Sequence, residues 1–176
     1  MKSTLVALLV CISYSTFAQL SDADLNRLKY KTDSAASLLH AKLIDKKETV
    51  LRTTFIVDTF KIEKLLQLKL TADTSQAELV TAIVDSEIEY DILMNKYYKA
   101  LLGLHDDEGK KLLTAAQKKW LKYRDEEIVM TEKFYNEQHI GDAKTKEIAK
   151  AREHLELTKA RVIELFKHIE ENSKNK

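Results

Sequence analysis

The chain has 176 residues, no proline, three glycines and one cysteine. Average usage would supply about 5% proline and about 7% glycine, and turns this scarce exclude an all-β sandwich or barrel and disfavour a glycine-rich phosphate loop. Its 29 Lys+Arg against 28 Asp+Glu argue against nucleic-acid binding and electrostatic membrane docking, and 44% hydrophobic residues are enough for one packed domain of long helices.

The N-terminus reads as an address. Lys2 precedes an apolar run, Leu5 to Ile12, that is far shorter than the ~20 residues of a bilayer-spanning helix. Thr16 and Ala18 supply small residues at the −3 and −1 positions, so a secretory signal over residues 1–18, cut after Ala18, is expected. Cys11 follows Val10 and Leu9 without the small residue that precedes a lipidated cysteine, so no stable membrane anchor is expected. Cleavage would remove Lys2 and Cys11, leaving balanced charge and no cysteine. The expected location is periplasmic or secreted, with packing alone holding the helices.

The first helix starts at a cap made by Ser21 with Asp24, and Leu25, Leu28, Thr32, Ala35, Leu39 and Leu43 recur at helical spacing. The stretch 49–60 is rich in β-branched residues, yet no turn or partner strand accompanies it. A helix continuing through Leu70 is the better reading. Thr71 to Thr74 break the pattern, Ser75 with Glu78 forms a capping box, and Leu79, Ile83, Ser86, Tyr90, Leu93, Tyr97 and Leu101 mark the buried face of the next helix. Gly103 to Gly109 read as a turn. A second long helix follows, with Leu113, Ala116, Trp120, Tyr123, Met130 and Phe134 as its expected stripe. His139 to Asp142 end it, with Asp142 as the next N-cap. The last helix carries Ile148, Ala151, Leu155, Thr158, Val162, Leu165 and Ile169, and 172–176 should fray. The expected fold is all-α, an antiparallel bundle of four to five long helices.

Catalytic chemistry finds little support. No histidine has a glutamate three residues before it, as a carboxylate-bridged di-metal bundle requires. His154 and His168 share a face but lie about 21 Å apart along the axis. No serine sits in a G-x-S-x-G elbow, and the acidic runs at 106–108 and 125–127 lack a cleft that would raise one pKa. No enzyme activity, metal or cofactor is expected.

The unusual segment is 115–127, AAQKKWLKYRDEE, with the only tryptophan. Gln117, Trp120, Tyr123 and Arg124 lie along one face, and Arg124, four residues from Trp120, can cover the indole. Asp125 is next to Arg124 in sequence but faces elsewhere, which makes Asp91 the candidate acid for this arginine. The physical reading is a tryptophan anchored by an architectural ion pair.

These segments resemble the LprI-type lysozyme inhibitor domain. That family's pattern is an Asp-x-x-Leu-Asn-x-x-Tyr helix followed by an Ala-Gln-x-x-Trp-x-x-Tyr-Arg-Asp helix. Asp91, Asn95, Tyr98, Gln117, Trp120, Tyr123, Arg124 and Asp125 match it, and Met94 stands for the leucine. The similarity covers roughly 72–130, setting off an N-terminal helical segment (19–71) and a C-terminal helical extension (131–176). Family members usually carry cysteines before the first motif helix and after Arg-Asp, whereas this chain has residues near Ala82 and Ile128 there. The resemblance implies an exported protein-binding module that inhibits lysozyme or another cell-wall hydrolase, with the motif residues structural. It would act by occluding the enzyme's cleft, and the turn 103–111 is the candidate loop, although Asp106, Asp107 and Glu108 have the wrong charge for a carboxylate-lined site. The alternative is an envelope structural or assembly protein acting through helix–helix association, by self-association or with another helix.

Overall fold

The computed structural model describes residues 20–72, 75–137 and 141–174, so the expected signal peptide, Cys11 and residues 73–74, 138–140 and 175–176 lie outside it. Five helices account for nearly all of the described chain: α1 (Asp22–Asp45), α2 (Val50–Ala72), α3 (Gln76–Leu102), α4 (Asp107–Glu137) and α5 (Ala143–Lys174). No strand occurs among the described residues. The fold is an all-α bundle, and the β-branched stretch 49–60 is helix from Val50 onward. Thr54 and Thr59 turn their hydroxyls back onto carbonyls within that helix, which removes the polar cost of their position.

Caps set most boundaries. Ser21 accepts a hydrogen bond from the Asp24 amide, Ser75 from that of Glu78, Asp106 from that of Gly109 (2.8 Å) and Asp142 from that of Thr145 (2.7 Å). The cap at Asp106 starts α4 within the expected turn, which shrinks to residues 103–106. The end of α1 uses a Schellman arrangement in which the Lys47 amide donates to Ile44 O and the Glu48 amide to Leu43 O. Lys47 takes the left-handed conformation there, with φ 58°, where glycine is usual. At the other end of the chain, α5 remains helical through Lys174 where fraying was expected, and Asn172 and Ser173 donate to the carbonyls of His168 and Ile169.

The core lies between α2, α3 and α5. Helix α2 runs antiparallel to α3, with Tyr90 Oη donating to Glu63 and Tyr97 Oη to Asp58. It also runs antiparallel to α5, where Arg52 meets Glu170 at 3.0 Å. Helices α3 and α5 therefore lie parallel and share the most extensive interface in the molecule. Ile83, Val162 and Leu165 are fully enclosed. Phe55 stacks on Phe166 with centroids 3.8 Å apart, and Tyr97 packs edge-on to both. Helix α1 rests on α2, while α4 rests on α5 and, more lightly, on α3. The residues expected to face the core on α3 and α5 do so, except that Leu79 and Ile148 are half-buried. The last helix is thus a central element and not an appendage.

The expected stripe of α4 is only partly turned inward: Leu113 and Trp120 are half-buried against the core. Gln117 is its only buried residue, and around it Thr114, Leu121, Arg124, Ile128, Thr131 and Tyr135 are half-buried in steps of three and four, with Glu127 and Glu132 half-buried at the margins. Ala116, Tyr123, Met130 and Phe134 are exposed. The inward seam is centred on Gln117 and Arg124, which meet partners on α5 and α3, so the apolar stripe is rotated partly away from it.

Candidate functional site

The motif residues meet where α4 crosses α3 and α5. The α3–α4 hairpin is pinned near its turn by Tyr98 Oη, which donates to Thr114 Oγ1 at 3.1 Å. Further along, Arg124 Nη1 donates to Asp91 Oδ1 at 2.8 Å, making the expected ion pair between helices. Asn95 sits one turn beyond Asp91 on α3 and donates to its carboxylate at 3.2 Å and to its backbone carbonyl at 2.9 Å. That contact holds the Asp91 side chain in place for the arginine. Asp125, expected to face elsewhere, also approaches Arg124, with Oδ1 3.5 Å from Nε, although its own side chain is largely exposed.

The centre is Trp120, half-buried, with the Arg124 guanidinium 5.5 Å from its ring centre. A second guanidinium, that of Arg161 on α5, lies 5.6 Å from the same ring. Arg161 is buried, and its Nε and Nη2 donate to Gln117 Oε1 at 3.0 and 2.8 Å. Its Nη1 reaches Glu164 at 2.7 Å. Gln117 completes its own bonding through Nε2, 3.5 Å from Met94 Sδ. The one buried residue of α4 is therefore the acceptor for the buried cation of α5, which ties all three helices together.

Of the eight motif residues, Asp91, Asn95, Gln117, Trp120 and Arg124 form this node and Tyr98 braces the hairpin. Asp125 lies at its edge. Tyr123 is exposed and does not join it.

Sequence reasoning missed Arg161 and Lys150. Both are cations on α5 next to the apolar stripe, Arg161 three residues after Thr158 and Lys150 beside Ala151. A charge at the margin of a buried stripe was the available signal. Lys150 lies between Glu132 of α4 and Glu147, at 2.8 and 2.7 Å. Hydrogen bonds to these two carboxylates push its pKa up and hold it protonated. Nearby, Tyr135 Oη donates to Glu153 at 2.6 Å, a second fastening of α4 to α5.

On the opposite side of the core, burial alone would raise the Glu63 pKa. Hydrogen bonds from Lys159 and Tyr90 outweigh that and hold it below the ordinary carboxylate value. Burial and the carboxylate beside each phenol push Tyr90 and Tyr97 upward. These shifted groups are all engaged in ion pairs or hydrogen bonds that link helices. The surface also carries grooves. One of about 200 Å³ runs between α1, α2 and α3, with Leu25 and Ile62 on its walls and the Lys69–Asp85 pair across it. Among the described residues, no three His, Cys, Asp or Glu side chains converge as a metal-binding group, and no helix is long and apolar enough to cross a membrane.

Residues 69–165 match the family model described as "Lysozyme inhibitor LprI". The chain belongs to the LprI family. The match starts at the end of α2 and takes in α3, α4 and most of α5, so it runs beyond the 72–130 stretch that carries the motifs. No curated protein and no solved structure is significantly similar to the chain. The LprI segment coincides with the three helices that build the node around Trp120, and Arg161, outside the motifs, falls within it. Ala82 lies in the core and Ile128 is half-buried, so both contribute apolar packing to the domain. This LprI domain is held by packing and by the Gln117–Arg161 and Arg124–Asp91 bonds.

Proposed function

We infer that this LprI family member is an exported protein-binding module that inhibits a lysozyme-type cell-wall hydrolase. The family match across all three node helices carries the reading, and the leader-like composition of residues 1–18 supports export. A binding protein of this kind needs a rigid scaffold, and the node provides one, since nearly every polar side chain in it is already engaged. Inhibition would work by covering the cleft in which a glycoside hydrolase holds its two carboxyl groups.

The α3–α4 turn is poorly charged for entering such a cleft. Asp106 is used in capping α4, and the Asp107 side chain is almost fully exposed. The outer edge of α4 offers the complementary sign: Lys111, Lys118 and Lys122 repeat at intervals of seven and four residues, so they line one edge. All three are exposed, and Lys122 alone has an acidic neighbour, Glu126 at 3.6 Å.

Competition against an oligosaccharide that fills the hydrolase cleft tests this. The purified chain should bind lysozyme, the oligosaccharide should displace it, and Lys111→Glu with Lys118→Glu should weaken the complex. Binding that ignores the oligosaccharide would refute occlusion of the cleft. Mass analysis of the secreted product should show a chain that begins at Gln19.

A further inference from the structure

We propose that a second copy of this chain covers the exposed flank of α4, packing α4 antiparallel against α4 across a two-fold axis at Tyr123. The flank is open in the single chain: Leu112 is 67% exposed, Tyr123 48%, Met130 60% and Phe134 48%. These residues lie on one side of the helix, away from the polar seam that meets α3 and α5. Apart from Val129, the large apolar side chains that this 31-residue helix leaves exposed lie on this flank.

The sequence of the flank is arranged for self-pairing. Tyr123 sits at its middle. Four residues to either side are Lys119 and Glu127, seven residues to either side Ala116 and Met130, and eleven to either side Leu112 and Phe134. Steps of four, three and four match the 3.5-residue repeat of two helices that wind around each other. When two copies run antiparallel with Tyr123 facing Tyr123, each residue meets the one equally far on the other side. Leu112 then meets Phe134, the small Ala116 meets the long Met130, and Lys119 meets Glu127. Apolar faces apolar, small faces large and cation faces anion, and each pairing occurs twice over about 33 Å of helix.

The charge pair is the decisive feature. Lys119 is exposed and Glu127 half-buried at the inner margin of the flank, and neither makes an ion pair or side-chain hydrogen bond among the described residues. Eight residues apart on one helix, they are separated by about 12 Å and cannot pair with each other. A second copy supplies both partners at once. Lys111, Lys118 and Lys122 lie on a different edge, so this assembly does not depend on hydrolase binding and leaves that edge open.

Sedimentation equilibrium of the purified full chain, with variants checked for helicity by circular dichroism, tests the proposal. The unaltered chain should dimerise with concentration. Lys119→Glu places glutamate against Glu127 in both contacts, and Glu127→Lys places lysine against Lys119, so each variant alone should dimerise roughly tenfold more weakly or worse. Mixing the two variants restores opposite charge at both contacts, and a heterodimer about as tight as the original should form. That rescue cannot come from within one chain, and it also shows that both variants fold. A monomer at every concentration, a dimer indifferent to either reversal, or a mixture no tighter than its components would overturn the proposal.

Discussion

Replacing Gln117 by alanine removes the acceptor that, among the described residues, serves the Nε and Nη2 groups of Arg161, a guanidinium that the fold buries. A hydrogen bond to a charged group contributes about 1.5–3 kcal/mol, and stranding a buried charge costs about 3–5 kcal/mol. Glu164 still holds Nη1 and is half exposed, so water can reach this end of the pocket and the lower part of the range applies. The expected loss is about 3 kcal/mol. It should lower the urea midpoint by about 1–3 M without changing the slope, given slopes of about 1–3 kcal/mol/M. Arg161→Met removes the charge as well as its bonds. In that background Gln117→Leu should cost far less than it does alone, because nothing charged remains to be satisfied. A loss under about 1 kcal/mol for Gln117→Ala, or strictly additive effects in the two backgrounds, would refute the view that this pair holds α4 to α5.

Four further outcomes follow from the same structure. Thr158 is fully enclosed and its hydroxyl has no hydrogen-bond partner among the described residues, so Thr158→Val should stabilise the chain by about 1 kcal/mol in thermal or urea unfolding. Lys47 holds φ 58°, and Lys47→Gly should raise stability by about 1 kcal/mol by removing the left-handed penalty at the end of α1. Asp91→Asn keeps the shape of the Arg124 partner but not its charge. In this partly exposed setting it should cost about 0.5–1 kcal/mol, less than Arg124→Ala, which also uncovers Trp120 and should shift tryptophan fluorescence. The pH dependence has two limbs. Glu63 has a lowered pKa in the fold, so its contribution is present above the ordinary carboxylate value of 4.5 and is lost as pH falls through the lowered one. Tyr90 and Tyr97 have raised pKa values, so their contribution is present below the ordinary value of 10.0 and is lost as pH climbs beyond it. Glu63→Gln should flatten the acid limb of stability against pH, and Tyr97→Phe the alkaline limb.

The core helices were legible because their chemistry is uniform. On α3 and α5, apolar residues at steps of three and four had only one face to bury, and the stripes through Tyr90 and Val162 are the buried ones. The Ser75 and Asp142 caps could be read for the same reason, since a side-chain oxygen three residues before a free amide has one obvious role. The Arg124–Asp91 bond was found by elimination. The eliminated neighbour, Asp125, nevertheless comes within 3.5 Å of the guanidinium, so the sequence identified the interhelical partner but not the second, looser one. Helix α4 defeated the same logic. Its apolar stripe is real, but the inward face is chosen by Gln117 and Arg124, whose partners stand on helices that local periodicity cannot see. Arg161 stayed hidden for a related reason, because a cation next to Thr158 reads as the solvated edge of a stripe until a glutamine from another helix is placed against it. The orientation of α4 is a tertiary property, and the outward turn of Tyr123, Met130 and Phe134 follows from it.

The most direct test of the account is the rate at which lysozyme hydrolyses peptidoglycan as the purified chain is added. Inhibition through cleft occlusion predicts a rate that falls towards zero, with KM rising while kcat is unchanged, and a weaker effect from the Lys111→Glu, Lys118→Glu variant. A rate that stays constant at micromolar concentrations of folded chain would contradict it.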